Sequence, residues 1–217
     1  MLFRSPQMLA RLSDLKLLEA IHPDLIWDEW LDARIKDLLS TEPGKEWGLW
    51  TQASPSETEI QEVNRDLIYI LWLIRLPPGH TRNIISRLKL PSVLARTIYS
   101  ARDLWRDMPA LEEARPSAIS TRLNGTSPVA LYAVYLTADR PRLRDLLHRY
   151  VAQWQAITPG ITGNDLRARG LAPGPHYRYI LKELRDAWLD GEISTREEEE
   201  AYLERLVKES SSLKPEK

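Results

Sequence analysis

Apolar residues recur at intervals of three and four along most of the chain, which is the spacing of one face of an α-helix. The run from Leu67 to Ile74 is apolar on nearly all sides, as is typical of a helix at the centre of a bundle. No stretch alternates apolar and polar residues over the length of a strand. The pattern therefore predicts an all-α fold: an elongated multi-helix bundle of about ten helices, with no sheet.

Local chemistry divides the stretch 161–206 into three helices. Asn164 or Asp165 can cap a short first helix, and Gly170 can end it in the left-handed conformation that glycine adopts without strain. The second helix opens at Pro173-Gly174-Pro175, because a proline at the first helical position loses no hydrogen bond. Three helices joined by two tight turns, both set by glycine, are therefore expected here.

The remaining boundaries of these helices carry equally local signals. Gly191 is placed to end the second helix, and Thr195 with Glu198 three residues later is a capping box that begins the third. Ser56 and Glu59 form the same box ahead of the long apolar helix. We therefore expect helix ends at these positions whatever the tertiary packing.

The same stretch resembles a known family. Its fixed points are Gly163, Asp165-Leu166, Gly170, Pro173-Gly174-Pro175, Leu181, Leu184, Ala187 and Asp190-Gly191. This run resembles the C-terminal tail of bacterial tRNA nucleotidyltransferases, which include CCA-adding and poly(A)-polymerase-like enzymes. Weaker matches at 11–23 and 114–119 look like the start of the family's body region and another of its landmarks. The resemblance covers nearly the whole chain, but only the C-terminal half of the family's usual length.

The resemblance also suggests a domain organisation. We expect a helical body-like region over residues 1–115 and a helical tail-like region over residues 116–217. The last residues, Lys208 to Lys217, are polar and are expected to fray. The chain has no cysteine and no visible signal peptide, and its longest apolar run, Leu67 to Ile74, is too short to span a bilayer. A soluble, cytoplasmic protein without membrane contact is therefore expected.

The net charge of −1 conceals a strong segregation. Residues 1–66 hold 7 basic and 13 acidic residues, residues 67–185 hold 18 and 8, and residues 186–217 hold 5 and 10. A basic middle between acidic ends can bind phosphates, because binding depends on local rather than total charge. The alternative is that these charges form solvated helix faces paired with their neighbours. The resemblance favours the first interpretation, with tRNA or another structured RNA as the partner.

Catalytic patterns are missing from the sequence. The family's transferases place paired carboxylates and a glycine–serine phosphate loop in an N-terminal head, and this sequence contains neither an Asp-x-Asp nor such a loop. Asp190-Gly191-Glu192 sits at a helix end, where glycine acts as the terminator. The four histidines form no HxxxH pair, so no metal site is expected. The resemblance implies that Mg²⁺ and nucleoside triphosphates bind only the head, and that this chain alone has no catalytic residue and no cofactor.

RNA-binding candidates fall into two groups. The helix opened by Gly174 offers free N–H groups and the positive end of its dipole to a phosphate. The basic residues close to it in sequence are Arg167, Arg169, Arg178 and Lys182, with Arg185 one turn further on. The second group is Arg82, Arg87 and Lys89, within a basic set that also includes Arg75, Arg96, Arg102 and Arg106. A weaker set is Arg140, Arg142, Arg144 and Arg149. The eight tryptophans are expected mainly in the core.

These observations favour an RNA-binding, specifically tRNA-elbow-binding, C-terminal portion of a tRNA nucleotidyltransferase that adds CCA or part of it. Two alternatives stay open: an all-α protein–protein interaction module without nucleic-acid binding, and the RNA-binding part of a poly(A) polymerase. Its own N-terminal catalytic head is a further expected partner. The sequence leaves the oligomeric state open.

Overall fold

The computed structural model describes residues 6–50, 52 and 54–212. Its α-helices, in chain order, are α1 Pro6–Asp14, α2 Leu17–Ile21, α3 Glu29–Ser40, α4 Glu57–Leu73, α5 Pro78–Arg87, α6 Ser92–Leu111, α7 Pro116–Leu123, α8 Pro128–Thr137, α9 Pro141–Ala152, α10 Gly163–Ala168, α11 Pro175–Asp190 and α12 Arg196–Ser212. Two short 3₁₀-helices are Lys45–Trp47 and Trp154–Ala156. These ranges contain no strand, so the all-α prediction is confirmed. None of the described helices is both long and apolar enough to cross a membrane.

The chain folds into two compact units. The first contains the chain up to Glu112 together with Leu123–Val151, and the second contains Glu113–Arg122 and the chain from Ala152 onward. Most of α7 therefore belongs to the second unit, although in the sequence it comes between α6 and α8, which belong to the first unit. The expected division at residue 115 into body-like and tail-like regions stays a prediction. Within the segment expected to fray, Lys208 to Ser212 continue α12, and residues 213–217 lie outside the described part.

The first unit is built around α4 and α8. Helix α4 buries six side chains between Leu67 and Leu73, as its apolar composition predicts, and it packs against α3, α6 and α8. Helix α8 carries no charged residue and buries nearly all of its length. Each fully buried leucine or isoleucine contributes about 1.5–3 kcal/mol through its removal from water. Two helices buried on most sides therefore fix the core against which α3 and α6 pack.

Side-chain caps set several helix starts in this unit. Asp28 accepts the Leu31 N–H at 2.9 Å to begin α3, and Ser56 accepts the Glu59 N–H at 3.2 Å to begin α4. The sequence predicts both starts, because Ser56 forms a capping box with Glu59 and Asp28 is a capping residue ahead of the apolar positions of α3.

The sequence predicts that Pro77-Pro78-Gly79 ends the long apolar helix, that the next helix begins at Arg82, and that the following one ends near Asp107, ahead of Pro109. Helix α4 does end before these prolines, but the other two boundaries differ from the prediction. Pro78 opens α5, where its missing N–H has no helical partner to lose. Pro109 lies in the last turn of α6, where it removes only one of the final hydrogen bonds, so the helix runs to Leu111 rather than ending near Asp107.

The second unit packs α10, α11 and α12 around a small apolar core. Its buried members are Ile161, Leu166, Ile180, Leu184, Leu203 and Leu206. Glu199, which is 1% exposed, accepts the Gly160 and Ile161 backbone N–H groups, both at 3.2 Å. This carboxylate therefore fixes the segment leading into α10 against α12.

Candidate nucleic-acid interface

Helix α10 and the turn after it contain the first residues of the stretch that resembles the tail of tRNA nucleotidyltransferases. Thr162, not Asn164 or Asp165, is the N-cap of α10, so that prediction of the cap was wrong. Asp165 instead lies at the third helical position and accepts the Thr162 backbone N–H at 2.7 Å, which completes a capping box. The Thr162 hydroxyl also donates to the Asp165 carboxylate at 2.6 Å, and this hydrogen bond, together with the one from the backbone, lowers the pKa of the carboxyl. Gly170 then ends the helix region at a φ of +80°, as predicted.

Helix α11 begins at Pro175, directly after Gly174. The backbone of Gly174 is extended, with φ 179° and ψ −176°, so its torsion angles do not require glycine. A Cβ at this position would instead lie 3.0 Å from the His176 ring. Tyr177 donates its hydroxyl to the Leu171 carbonyl at 2.6 Å, which fixes the turn against the first residues of the helix. The helix N-terminus, with its positive dipole end, is therefore held at a defined place on the surface.

The basic residues predicted around this turn divide into free and engaged side chains. Arg167 and Arg178 are exposed and have no side-chain partner within the described part of the chain. Arg169 forms an ion pair with Glu200, and Lys182 forms one with Asp186.

A third residue near the turn is also engaged. Arg185 donates to the Ile157 carbonyl at 2.9 Å and to the Trp154 carbonyl at 3.2 Å, so it supports the fold. The hydrogen bond to Asp186 raises the pKa of the Lys182 ammonium, which keeps it charged. The two unpaired arginines are therefore the cations that are most available at this turn.

The basic set of the first unit divides in the same way. Arg82 on α5, Lys89 just after it and Arg96 on α6 are exposed, with no partner among the described residues. Arg87 donates to the Ala20 carbonyl at 2.8 Å. The other members hold the fold or other side chains: Arg75 pairs with Asp28, Arg102 donates to the Leu76 carbonyl, and Arg106 pairs with Asp103 and Asp107.

The weaker basic set is engaged throughout. Arg140 pairs with Glu112, Arg149 pairs with Asp145 at 2.9 Å, and Arg144 donates to the Ala138 carbonyl at 2.9 Å. Arg142 also has an interaction partner. These side chains make contacts within and between helices. This agrees with the alternative interpretation of the charge pattern, in which the charges are paired with their neighbours.

The tryptophans contribute to packing. All eight side chains are buried or half-buried, including Trp47 and Trp50 in the connection between α3 and α4. Trp47 is 4% exposed and lies against Tyr132 and Tyr135, with ring centroids 5.0 and 4.7 Å away. The expectation that these aromatic residues serve mainly the core is therefore supported by their burial.

Asp190-Gly191-Glu192, the sequence's one Asp-x-Glu, has a structural role. The Asp190 carboxylate accepts the Ser117 backbone N–H at 2.8 Å and its hydroxyl at 2.7 Å, at the start of α7. Gly191 ends α11 with a φ of +73°. Glu192 lies 3.7 Å from Arg115. The carboxylates are thus engaged in holding α7 within the second unit.

One group of potential metal ligands could not be predicted from the sequence. His22, Asp24 and His80 lie close together in the first unit, with one potential ligand atom from each within 4.8 Å of the others. The two histidines are far apart in sequence, and only the packing of α5 beside the end of α2 brings them together. Spacing rules that search for neighbouring histidines cannot find such a site.

Comparisons with known proteins place this arrangement in context. No family model matches the chain. It is 37% identical over 96 residues to an A-adding tRNA nucleotidyltransferase of Geobacter sulfurreducens, a match covering 44% of this chain and 11% of the relative. A CCA-adding enzyme of Thermotoga maritima, solved in complex with tRNA, superposes with a TM-score of 0.65 and 14% identity over 96% of this chain and 48% of that one.

A CCA-adding enzyme solved with ATP gives a TM-score of 0.66 at 15% identity, over 96% of this chain and 47% of the other. This chain therefore spans about half the length of the solved enzymes, and at such low identity these structures show the fold alone. The coverage is consistent with a C-terminal region of a tRNA nucleotidyltransferase. The resemblance found in the sequence is confirmed: the chain is similar to tRNA nucleotidyltransferases, in sequence to an A-adding enzyme and in fold to CCA-adding enzymes.

Proposed function

We propose that this chain is the tRNA-elbow-binding, C-terminal portion of a tRNA nucleotidyltransferase that adds CCA or part of it to tRNA 3′ ends. The observation that carries the proposal is the pair of unpaired, exposed arginines, Arg167 and Arg178, on either side of the Gly174–Pro175 helix start. Guanidinium groups and a helix N-terminus are both suited to backbone phosphates. A-form RNA offers mainly phosphates and 2′-hydroxyls, so such a site would recognise shape rather than sequence.

The ion pairs around this site are compatible with the proposal. The Arg169 and Glu200 side chains are 37% and 35% exposed, and those of Lys182 and Asp186 are 53% and 19% exposed. Exposed pairs of this kind contribute roughly 0–1 kcal/mol. The proposal rests on the unpaired cations and does not require either ion pair to open. Arg82 and Lys89 add unpaired positive charge to the first unit.

The same proposal assigns nucleotide addition to a different part of the enzyme. Transfer of a nucleotide needs carboxylates that hold two metal ions over the triphosphate. This sequence contains no Asp-x-Asp, and the Asp190 carboxylate is engaged by Ser117. Mg²⁺ and the nucleoside triphosphate would accordingly bind a catalytic head, while this chain positions the tRNA.

The proposal is tested by titrating the chain with fluorescently labelled mature tRNA at salt concentrations from about 50 to 200 mM. Affinity should fall steeply with salt, because each phosphate neutralised contributes roughly 0.7–0.9 to the slope of log affinity against log salt. The Arg167→Glu/Arg178→Glu variant should bind roughly tenfold more weakly or worse, while its circular dichroism stays that of the parent.

A matched control is the Arg65→Glu/Arg149→Glu variant. It makes the same change in net charge, but Arg65 and Arg149 are already paired with Asp66 and Asp145. It should keep most of the affinity. Equal losses in the two variants would reduce the effect to net charge, and an absence of saturable tRNA binding would overturn the proposal. Binding of a linear oligonucleotide as tightly as tRNA would point instead to a poly(A)-polymerase-like parent.

A further inference from the structure

His22, Asp24 and His80 form a compact group at the surface of the first unit. His22 caps the C-terminus of α2, Asp24 follows it in the connection to α3, and His80 lies in the first turn of α5. His22 Nδ1 lies 3.9 Å from Asp24 Oδ2, and His80 Nδ1 contacts the same carboxylate oxygen. The two imidazole ring centroids are 5.0 Å apart. Two helices and a connection thus converge on one carboxylate.

The group is held in place by its surroundings. The Asp24 backbone N–H donates to His22 Nδ1 at 3.2 Å, and the Leu25 N–H donates to the His22 carbonyl at 3.0 Å, which fixes the turn that carries both side chains. The His22 side chain is only 15% exposed. Next to His80, Thr81 is buried and its hydroxyl donates to the Pro77 carbonyl at 3.1 Å. These contacts fix the backbone that carries the three side chains, while the side chains of His80 and Asp24 remain 44% and 43% exposed.

Two further observations concern access to this group. The His80 Nδ1 atom lies against Asp24 Oδ2 without the geometry of a hydrogen bond, and the His80 side chain is 44% exposed. An open cavity of about 190 Å³ adjoins Asp24 and is lined also by Asp28, Trp72 and Arg75. It has room for several water molecules, each of which occupies about 30 Å³ in the liquid. The positive charge of Arg75 is already matched by its ion pair with Asp28.

We propose that His22, Asp24 and His80 bind a divalent transition-metal ion of the zinc class. Two imidazoles and one carboxylate are a common protein ligand set for Zn²⁺, with water in the remaining position. Tetrahedral ligand atoms at zinc lie about 3.4 Å apart, given bond lengths of about 2.0–2.2 Å. One potential ligand atom from each residue lies within 4.8 Å of the others, and rotation of the partly exposed Asp24 and His80 side chains would bring the atoms to that spacing.

The ion would tie the end of α2 to the start of α5, 58 residues later in sequence. It would stabilise the first unit by linkage, because the three ligands are brought together only in the folded state. At a free zinc concentration one hundred times the dissociation constant, the melting temperature should rise by about 5–10 °C. This role is independent of RNA binding.

The test uses the full chain without a polyhistidine tag, treated with chelator and then titrated with zinc chloride by isothermal calorimetry. The expected result is one equivalent of bound zinc, together with a zinc-dependent rise in melting temperature followed by circular dichroism. Replacing zinc with Co²⁺ should give the intense visible absorption of tetrahedral coordination. Zn²⁺ binding should weaken by roughly tenfold or more in His22→Gln and in His80→Gln, since even outer partners of metal ligands are worth about that much.

The matched control is His148→Gln. His148 is also half-exposed and lies 3.3 Å from a carboxylate oxygen of Glu46, but it has no second histidine beside it within the described residues. This variant should bind zinc as the parent does. The proposal is overturned if the parent shows no saturable binding up to millimolar zinc, or if His80→Gln binds as tightly as the parent. Because each variant's melting temperature is also measured without metal, a loss of fold is distinguished from a loss of ligand.

Discussion

Glu199 shows how a single residue can decide the geometry of the second unit. Among the described residues it is the only charged side chain that is buried, and its two carboxylate oxygens accept the N–H groups of Gly160 and Ile161. A buried carboxylate is costly unless its oxygens are hydrogen-bonded. Here each carboxylate oxygen accepts one of the two backbone N–H groups, so that oxygens and N–H groups are all hydrogen-bonded. The carboxylate therefore fixes the segment that leads into α10, next to the turn proposed to bind RNA.

Replacing this carboxylate by its neutral amide should destabilise the second unit. In Glu199→Gln one oxygen still accepts an N–H, but the new NH₂ group faces the other backbone donor, which is left unsatisfied at a cost of about 1–3 kcal/mol. Urea denaturation followed by circular dichroism measures the loss. Glu204→Gln, on the exposed side of the same helix, serves as the control and should change stability by less than about 0.5 kcal/mol. Similar values for the two variants would contradict the importance of the buried carboxylate.

For single residues, the sequence predicts which side chains can cap a helix or bind a ligand, but not which residues they contact in the fold. The run of four consecutive glutamates gives no sign that Glu199 points inward while its neighbours face water. Thr162 was missed as the cap of α10 because Asn164 and Asp165 are stronger capping residues, yet the reciprocal hydrogen bonds with Asp165 favour the threonine. His22 and His80 meet only through tertiary packing. Each of these contacts depends on long-range geometry, which local spacing does not contain.

Helix ends are the elements that the sequence predicts best, and glycines give a direct test. Gly191 ends α11 at a φ of +73° with open space around its Cβ position, so Gly191→Ala should cost about 1–2 kcal/mol through backbone strain alone. Gly79 lies in the first turn of α5, also with open space but without a positive φ. Gly79→Ala should therefore stabilise the chain by about 0.4–1 kcal/mol. Thermal melts of the two variants should move in opposite directions, and shifts of the same sign would contradict this account.

The elements that were misplaced share one physical cause. Arg82 was predicted as the start of α5 and Asp107 as the end of α6, although a proline in the first or last turn of a helix removes few hydrogen bonds. The apolar run of α4 predicts its central place, and α8 is equally buried. Its lack of any charged residue between Pro128 and Thr137 was the available signal. Composition identifies a buried helix, but only the fold shows which helices it contacts.

For the whole molecule, the sequence shows an excess of basic residues between 67 and 185, but it does not show which of these cations are unpaired in the fold. Among the basic residues that the sequence assigned to the two main RNA-binding groups, five have no partner within the described residues: Arg82, Lys89, Arg96, Arg167 and Arg178. The others are bound to carboxylates or backbone carbonyls. A sequence counts charges, whereas pairing depends on distances between helices. The number of unpaired cations in the structure therefore allows the salt dependence of RNA binding to be predicted.

If each of the five unpaired cations neutralises one phosphate, the slope of log affinity for tRNA against log salt should be about −3.5 to −4.5. A slope steeper than about −6 would mean that paired arginines leave their carboxylates to bind RNA. Two neighbouring variants separate these cases. Arg167→Gln should make the slope shallower by about 0.7–0.9, because it removes an unpaired cation. Arg169→Gln should leave the slope unchanged, because Glu200 already holds that guanidinium. Equal changes in the two variants would show that the ion pair with Glu200 opens when RNA binds.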